Sequence, residues 1–288
     1  MRCDNRAMKR FLLFLLLLLL GAGAYRFWTS HFFAPPPQEA ANQDARALTA
    51  AEQAVFLPLV CGGASAGSGG YAHNCTSLPA YPSADYGGAG LGLGITLTSV
   101  VAGHFSNATA EEAYISYQGS FESHATNFGG GILFRANGTG GWVLENWFPG
   151  DIMDGCLSLN PQGRAKILCL RGSTGQGETD TMLGIWTPGT EGFAKILAAS
   201  DLRNTMAPNA NCGLRTAASQ DVLLGIDSVA RAGTGYTAQI EYVPAAQAEA
   251  ACGIKNFAAA PVSKITLTLT WDGSAMRITP SLNVAPAS

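Results

Sequence analysis

Apolar and polar positions alternate without a break over Lys264-Ile-Thr-Leu-Thr-Leu-Thr-Trp271, which is the signature of a strand with one buried face. Asp272-Gly273 follows, a strong two-residue hairpin signal, and alternation resumes to Thr279. A two-residue turn sets Trp271 opposite Ser274, Leu269 opposite Met276 and Leu267 opposite Ile278. The same logic pairs Ile132-Leu-Phe134 with Trp142-Val-Leu144 across Asn137-Gly138, and Leu183–Trp186 with Phe193–Leu197 across Pro188-Gly189. Apolar strands recur at Ala113–Tyr117, Lys166–Leu170 and Asp221–Gly225, with Ile115, Ile167 and Val222 spaced 52 and 55 residues apart. A period of that size predicts arrayed four-stranded units. The expected fold is all-β: antiparallel hairpins in repeated four-stranded units, propeller-like or alternatively a β-sandwich, behind a short helix.

That helix is announced by Thr49-Ala-Ala-Glu52, a capping-box pattern, and is expected over Gln53–Leu57, ending before Pro58. Further upstream, Arg2, Arg6, Lys9 and Arg10 precede an apolar run from Phe11 to Leu20 with small residues at Ala22 and Ala24. This is a secretory-signal pattern, and the 14 residues from Phe11 to Ala24 reach about 21 Å as a helix, short of the roughly 30 Å hydrocarbon core. Tyr25, Phe27 and Trp28, with Arg26 able to snorkel, fit an uncleaved anchor equally well. Either way the rest of the chain is exported, to the periplasm or the cell exterior. The division that results is residues 1–24 as signal or membrane anchor, 25–47 as a Pro-rich linker around Pro35-Pro-Pro37, 48–94 as helix plus Gly-rich loop, and 95–288 as the β-rich domain.

Composition narrows the class. Of 288 residues 47% are apolar and only 13% charged, which excludes charge-driven disorder. Glycine at 35 and proline at 14 favour many turns over long helices. The net charge is −3, and no basic block follows the leader, so nucleic acid is not an expected partner. Six cysteines lie beyond the leader: Cys61, Cys75, Cys156, Cys169, Cys212 and Cys252. An even count in an exported chain predicts disulfides, and sequence order pairs each with its neighbour. For Cys156 and Cys169, a turn at Pro161-Gln-Gly163 brings the two nearly opposite on adjacent strands, near disulfide range. A zinc site from Cys61, His73 and Cys75 is the competing reading.

Val100-Val-Ala-Gly-His-Phe105, a polar turn and Glu112-Ala-Tyr-Ile-Ser116 together resemble FG-GAP and VCBS-type β-propeller repeats. The resemblance implies stacked four-stranded blades. His104 stands where that family favours Asp, and Asn107-Ala-Thr-Ala-Glu111 replaces its calcium loop, so calcium binding does not carry over and no cofactor is expected.

Several segments bear on chemistry. Gly63-Ala-Ser65-Ala-Gly67 matches the nucleophile-elbow spacing but lacks the flanking strand and helix that would expose the serine. His73, His104 and His124 have no metal-ligand spacing, and Gly90-Leu-Gly-Leu-Gly94 is not a dinucleotide fingerprint. The segment Gly172–Asp180 reads as a glycine-rich loop whose Glu178 and Asp180, joined by Asp151 and Asp154, suit a sugar hydroxyl or calcium; a solvated connection is the plainer reading. Trp142, Trp147, Trp186 and Trp271 suit either a stacking platform or packing. Asn74-Cys-Thr76, Asn107-Ala-Thr109 and Asn137-Gly-Thr139 fit the glycosylation acceptor. The expected role is binding or structural work at the cell envelope, with carbohydrate or protein as partner and no catalytic residue assigned. The alternative is a hydrolase of an envelope polymer using the loop carboxylates, which need a separation of roughly 5–9 Å for glycoside cleavage.

Overall fold

The computed structural model describes residues 44–62, 71–72, 75, 94–106, 108–123, 126–150, 152–159, 164–175, 177–188 and 193–284. The leader, most of the linker, the Ser65 motif, His73, Asn74, most of Gly90–Gly94, Asn107, His124, Asp151 and Pro161–Gly163 lie outside these residues. No helix among the described residues is long and apolar enough to cross a membrane.

The chain forms antiparallel sheets, each built around four strands consecutive in sequence. The first contains β3 (Ile95–Gly103), β4 (Glu112–Ser123), β5 (Thr126–Ala136) and β6 (Trp142–Gly150), with short strands β1 (Arg46–Ala47) and β2 (Tyr71–Ala72) added on β3. The second runs β7 (Ile152–Leu159), β8 (Lys166–Gly175), β9 (Glu178–Trp186) and β10 (Ala194–Asp201). The third runs β11 (Val222–Ala232), β12 (Gly235–Val243), β13 (Ser263–Trp271) and β14 (Met276–Thr279).

Each sheet buries both faces, so the layers stack between two helical caps. On one outer face of the first sheet, helix α1 (Ala50–Val60) seats Phe56, Leu57 and Val60 among Ile115, Ile132 and Phe134. Val101, Tyr114 and Leu133 of that sheet face Cys156, Ile167 and Cys169 of the second. Leu157, Leu168 and Leu183 of the second face Ile226, Ile240 and Leu267 of the third. Val222, Leu224 and Val243 of the third lie under Ala248 and Ala251 of helix α2 (Ala245–Gly253) and under Phe257. Alternation within β4 explains the two-faced burial: Ala113, Ile115 and Tyr117 meet the α1 side, and Tyr114 between them meets the second sheet.

The first strands of the three sheets are laced together by the segment entering β1. Asp44 forms an ion pair with Arg231 of β11 at 2.6 Å. The Ala45 N–H donates to the Cys156 carbonyl of β7 at 2.8 Å, and Arg46 and Ala47 pair with Val100 and Ser99 of β3.

All three cysteine pairs expected from sequence order are disulfides: Cys61–Cys75, Cys156–Cys169 and Cys212–Cys252. The zinc reading of Cys61 and Cys75 is thereby overturned, since both sulfurs are bonded to each other. Three bridges within one chain mark an oxidising environment.

Four expectations need correction. Helix α1 continues through Pro58 to Val60, because losing one backbone donor costs less than withdrawing Val60 from the core. The β13–β14 register is displaced by two residues, with Trp271 opposite Met276 and Leu269 opposite Ile278. There the Asp272 carboxylate accepts from Ser274 N and Ala275 N, so the turn spans four residues, and a shift of two leaves each side chain on its expected face. The spaced strands at Ile115 and Ile167 are second strands of their sheets, whereas Val222 opens a first strand. Finally, Gly172–Gly175 is strand, paired residue for residue with Glu178–Thr181, so the expected loop shrinks to the turn between them.

Candidate functional site

Where the second and third sheets part, a groove of about 230 Å³ opens, lined by residues that include Asp154, Thr174, Thr179, Asp180, Thr181 and Asp227. The ladder places three of the hydroxyls together. Gly172 pairs with Thr181 and Thr174 with Thr179, putting these side chains on the face of Leu170, which packs toward the third sheet.

Two β-bulges form the mouth. In β7 the register breaks between Asp154 and Leu157, and Gly155 sits at φ +54°, where a side chain would be strained. In β11 it breaks between Ile226 and Ser228, so Asp227 has no opposite residue on β12. The sheets are joined at the groove by the Ile226 N–H, which donates to Thr181 Oγ1 at 3.0 Å.

The carboxylates are differently held. Asp154 Oδ1 accepts from its neighbour Gly155 N at 2.7 Å. Asp180 Oδ1 accepts from the Ser200 hydroxyl. Asp227 Oδ2 lies 3.2 Å from Lys264 Nζ, which also reaches Glu241 Oε1 at 2.5 Å. Burial, and then the neighbouring Asp180, push the Glu178 carboxyl above its usual range. The arrangement suits ligands that donate hydrogen bonds, such as polyols and amines.

Of the sequence-expected residues, Asp154 and Asp180 line the groove; Glu178 stands beside Asp180 without lining it, and Asp151 lies outside the described residues. Among the described residues, no group of three or more His, Cys, Asp or Glu is placed to hold a metal ion. Asp227 and Thr181 were not legible as site residues: Asp227 is aimed by a bulge that only the β11–β12 pairing reveals.

Other candidates have structural employment. His104 Nδ1 bonds the Ala110 carbonyl at 2.5 Å. Glu112, at the start of β4, is buried, and its carboxylate accepts from Phe105 N at 2.5 Å and Ser106 N at 2.8 Å. The tryptophans are divided among three layers, Trp142 and Trp147 on the α1 side of the first sheet and Trp186 and Trp271 each between two sheets, and each packs within the fold. Trp142 packs on Phe56 at 5.3 Å, Trp147 Nε1 donates to Tyr117 Oη, Trp186 meets Phe148 edge-on at 4.9 Å, and Trp271 lies among the residues between the second and third sheets. Comparison with family models, curated proteins and solved structures finds no match for this chain.

Proposed function

We propose that the chain is an exported binding module of the cell envelope, built as an open, capped sector of propeller-like blades, with its ligand seated in the groove between the second and third sheets. One observation carries this reading: Asp154, Asp180 and Asp227, far apart in sequence, line a single groove together with Thr174, Thr179 and Thr181. Carboxylates beside hydroxyls match the donors and acceptors of a saccharide, and envelope polysaccharide is the ligand class that fits an exported protein. The blade reading is supported by three consecutive four-stranded meanders whose first strands lie side by side. Export is supported by the disulfides together with the leader pattern, and the leader supplies the membrane contact.

The test is calorimetric titration with soluble envelope-polysaccharide fragments. Replacing Asp154 and Asp227 together by Asn is expected to weaken binding by about a hundredfold, through two lost charge-assisted hydrogen bonds. Unchanged affinity in that variant removes the groove from consideration. A hydrolase reading draws on the Glu178 carboxyl held above its usual range next to Asp180. It requires fragment turnover that disappears in Glu178→Gln, whereas the binding module leaves the fragments intact.

A further inference from the structure

Two hairpin turns in different sheets are held by closely related sets of hydrogen bonds to the side-chain oxygen that heads them. Between β5 and β6, Asn137 Oδ1 accepts from Thr139 N at 3.0 Å, Thr139 Oγ1 at 2.8 Å and Gly141 N at 3.0 Å. Between β13 and β14, Asp272 Oδ1 accepts from Ser274 N at 2.9 Å, Ser274 Oγ at 2.9 Å and Ala275 N at 2.8 Å. Each is followed by a glycine at positive φ, Gly138 at +74° and Gly273 at +100°, with open space where a β-carbon would stand. The first turn is one residue longer, with its third donor at Gly141, and the residue that heads it carries an amide nitrogen where the second has a carboxylate oxygen.

The geometry points to Asn137 as a site of spontaneous covalent modification, in which its side-chain amide cyclises with the Gly138 backbone nitrogen and opens to aspartate and isoaspartate, while its twin Asp272 stays unchanged. Hydroxide removes the Gly138 amide proton, and the nitrogen forms a bond to Asn137 Cγ. The displaced carbonyl electrons settle on Oδ1, where the three donors already stand as they would around an oxyanion. Collapse expels Nδ2, which takes a proton from water and departs as ammonia, leaving a succinimide ring. Water then adds to either ring carbonyl and breaks its bond to nitrogen, giving aspartate by one route and isoaspartate by the other. One water is consumed, one ammonia is released, and nothing is oxidised or reduced.

Asn137 meets the steric demands of this reaction better than the rest. It is exposed, and it is the chain's sole asparagine followed by glycine. Asn146, Asn204, Asn209, Asn211 and Asn283 are each followed by a residue whose β-carbon obstructs ring closure. Asp272 has the same glycine but must be protonated before its oxygen can leave. Hydrogen bonds from Ala275 and Ser274 hold its carboxyl far below the usual range, which keeps that acid form scarce. The twin also shows that an aspartate fits such a turn. The isoaspartate product does not, because it inserts a carbon into the main chain where Asn137 N now bonds the Gly141 carbonyl at 2.9 Å.

The experiment incubates the folded full chain at mildly alkaline pH and follows each asparagine by peptide mass spectrometry, with isoaspartate scored by methyltransferase labelling. Conversion at Asn137 is expected at least about tenfold faster than at any other asparagine, and Gly138→Ala is expected to suppress it by a similar factor. Because alanine strains this turn, Thr139→Val provides a second arm. It deletes only the hydroxyl donor and is expected to slow conversion by about threefold, less than a donor supplies in a site closed to water. Absence of conversion at Asn137, or a rate unmoved by both substitutions, overturns the assignment. Isoaspartate at Asp272 accumulating as fast as at Asn137 overturns the contrast between the turns.

Discussion

The two ends of the stack are closed by helices of opposite character. Helix α1 begins with a reciprocal capping box, in which Thr49 accepts from Glu52 N while the Glu52 carboxylate accepts from Thr49 N, and Arg46 adds bonds of 2.8 and 2.5 Å to the same carboxylate. It then buries Phe56 against Phe134 at 4.8 Å. Helix α2 has no side-chain cap, and the residues it buries are alanines. Its end of the molecule is held by other means: Asp221 accepts from Ala245 N, Asn209 bonds Lys255 O and Phe257 N, and Cys212 is bridged to Cys252. What an outer sheet face demands is cover, and large side chains or cross-links between small ones meet that demand alike.

The contrast can be tested from its heaviest member down. Phe56→Ala removes a fully packed ring from the α1 end and is expected to lower unfolding free energy by about 4 kcal/mol in a denaturant titration. A loss below 1 kcal/mol would mean that large side chains are not what holds this cap. Replacing Cys212 and Cys252 by Ser opens a closed loop of sequence separation 40, against 14 for Cys61 and Cys75. The chain-entropy argument gives losses of about 4 and about 3 kcal/mol respectively, and the α2 end has less packing to compensate. Equal protection of both caps in hydrogen exchange after either replacement would erase the distinction.

The smallest effect depends on acid. The Arg46 guanidinium, with help from Thr49, holds the Glu52 carboxyl at about 2, down from an ordinary 4.5, although burial opposes it. A lowered carboxylate contributes stability that is present above the ordinary value and is lost as pH falls through about 2. Because Arg46 is largely exposed, the contribution is expected to stay under about 1 kcal/mol. Hydrogen exchange of the α1 amides across that window reads it, with the α2 amides as internal reference, and Glu52→Gln should flatten the response.

What the sequence revealed was local. The β13 alternation, the turn at Asn137-Gly138, the pairing of the strands on either side of Pro188-Gly189 (Gly189 itself lies outside the described residues) and the capping box each involve residues a few positions apart, and each has its structural counterpart. Cys156 and Cys169 were legible for the same reason, since their hairpin brings them together. The groove was legible only in part. Asp154 and Asp180 stood out as carboxylates among glycines, but the expected loop turned out to be ladder, because Thr174 and Thr179 continue the pairing almost to the turn. Asp227 comes from a strand of another sheet, and no short-range pattern announces a contact made by stacking. Helix α2 was hidden too: alternation shows that Val222 and Leu224 need cover, not what supplies it.

The ion pair between Asp44 and Arg231 spans 187 positions. A ribosome therefore completes most of the molecule before the partner of Asp44 exists. Until then the strap from Ala45 to Ala47 has only β3 and β7 to bond, through Ser99, Val100 and Cys156, which come earlier in the chain. The last fastening thus waits for the carboxyl-terminal sheet, and a chain stalled before Arg231 keeps its opening strap without that anchor.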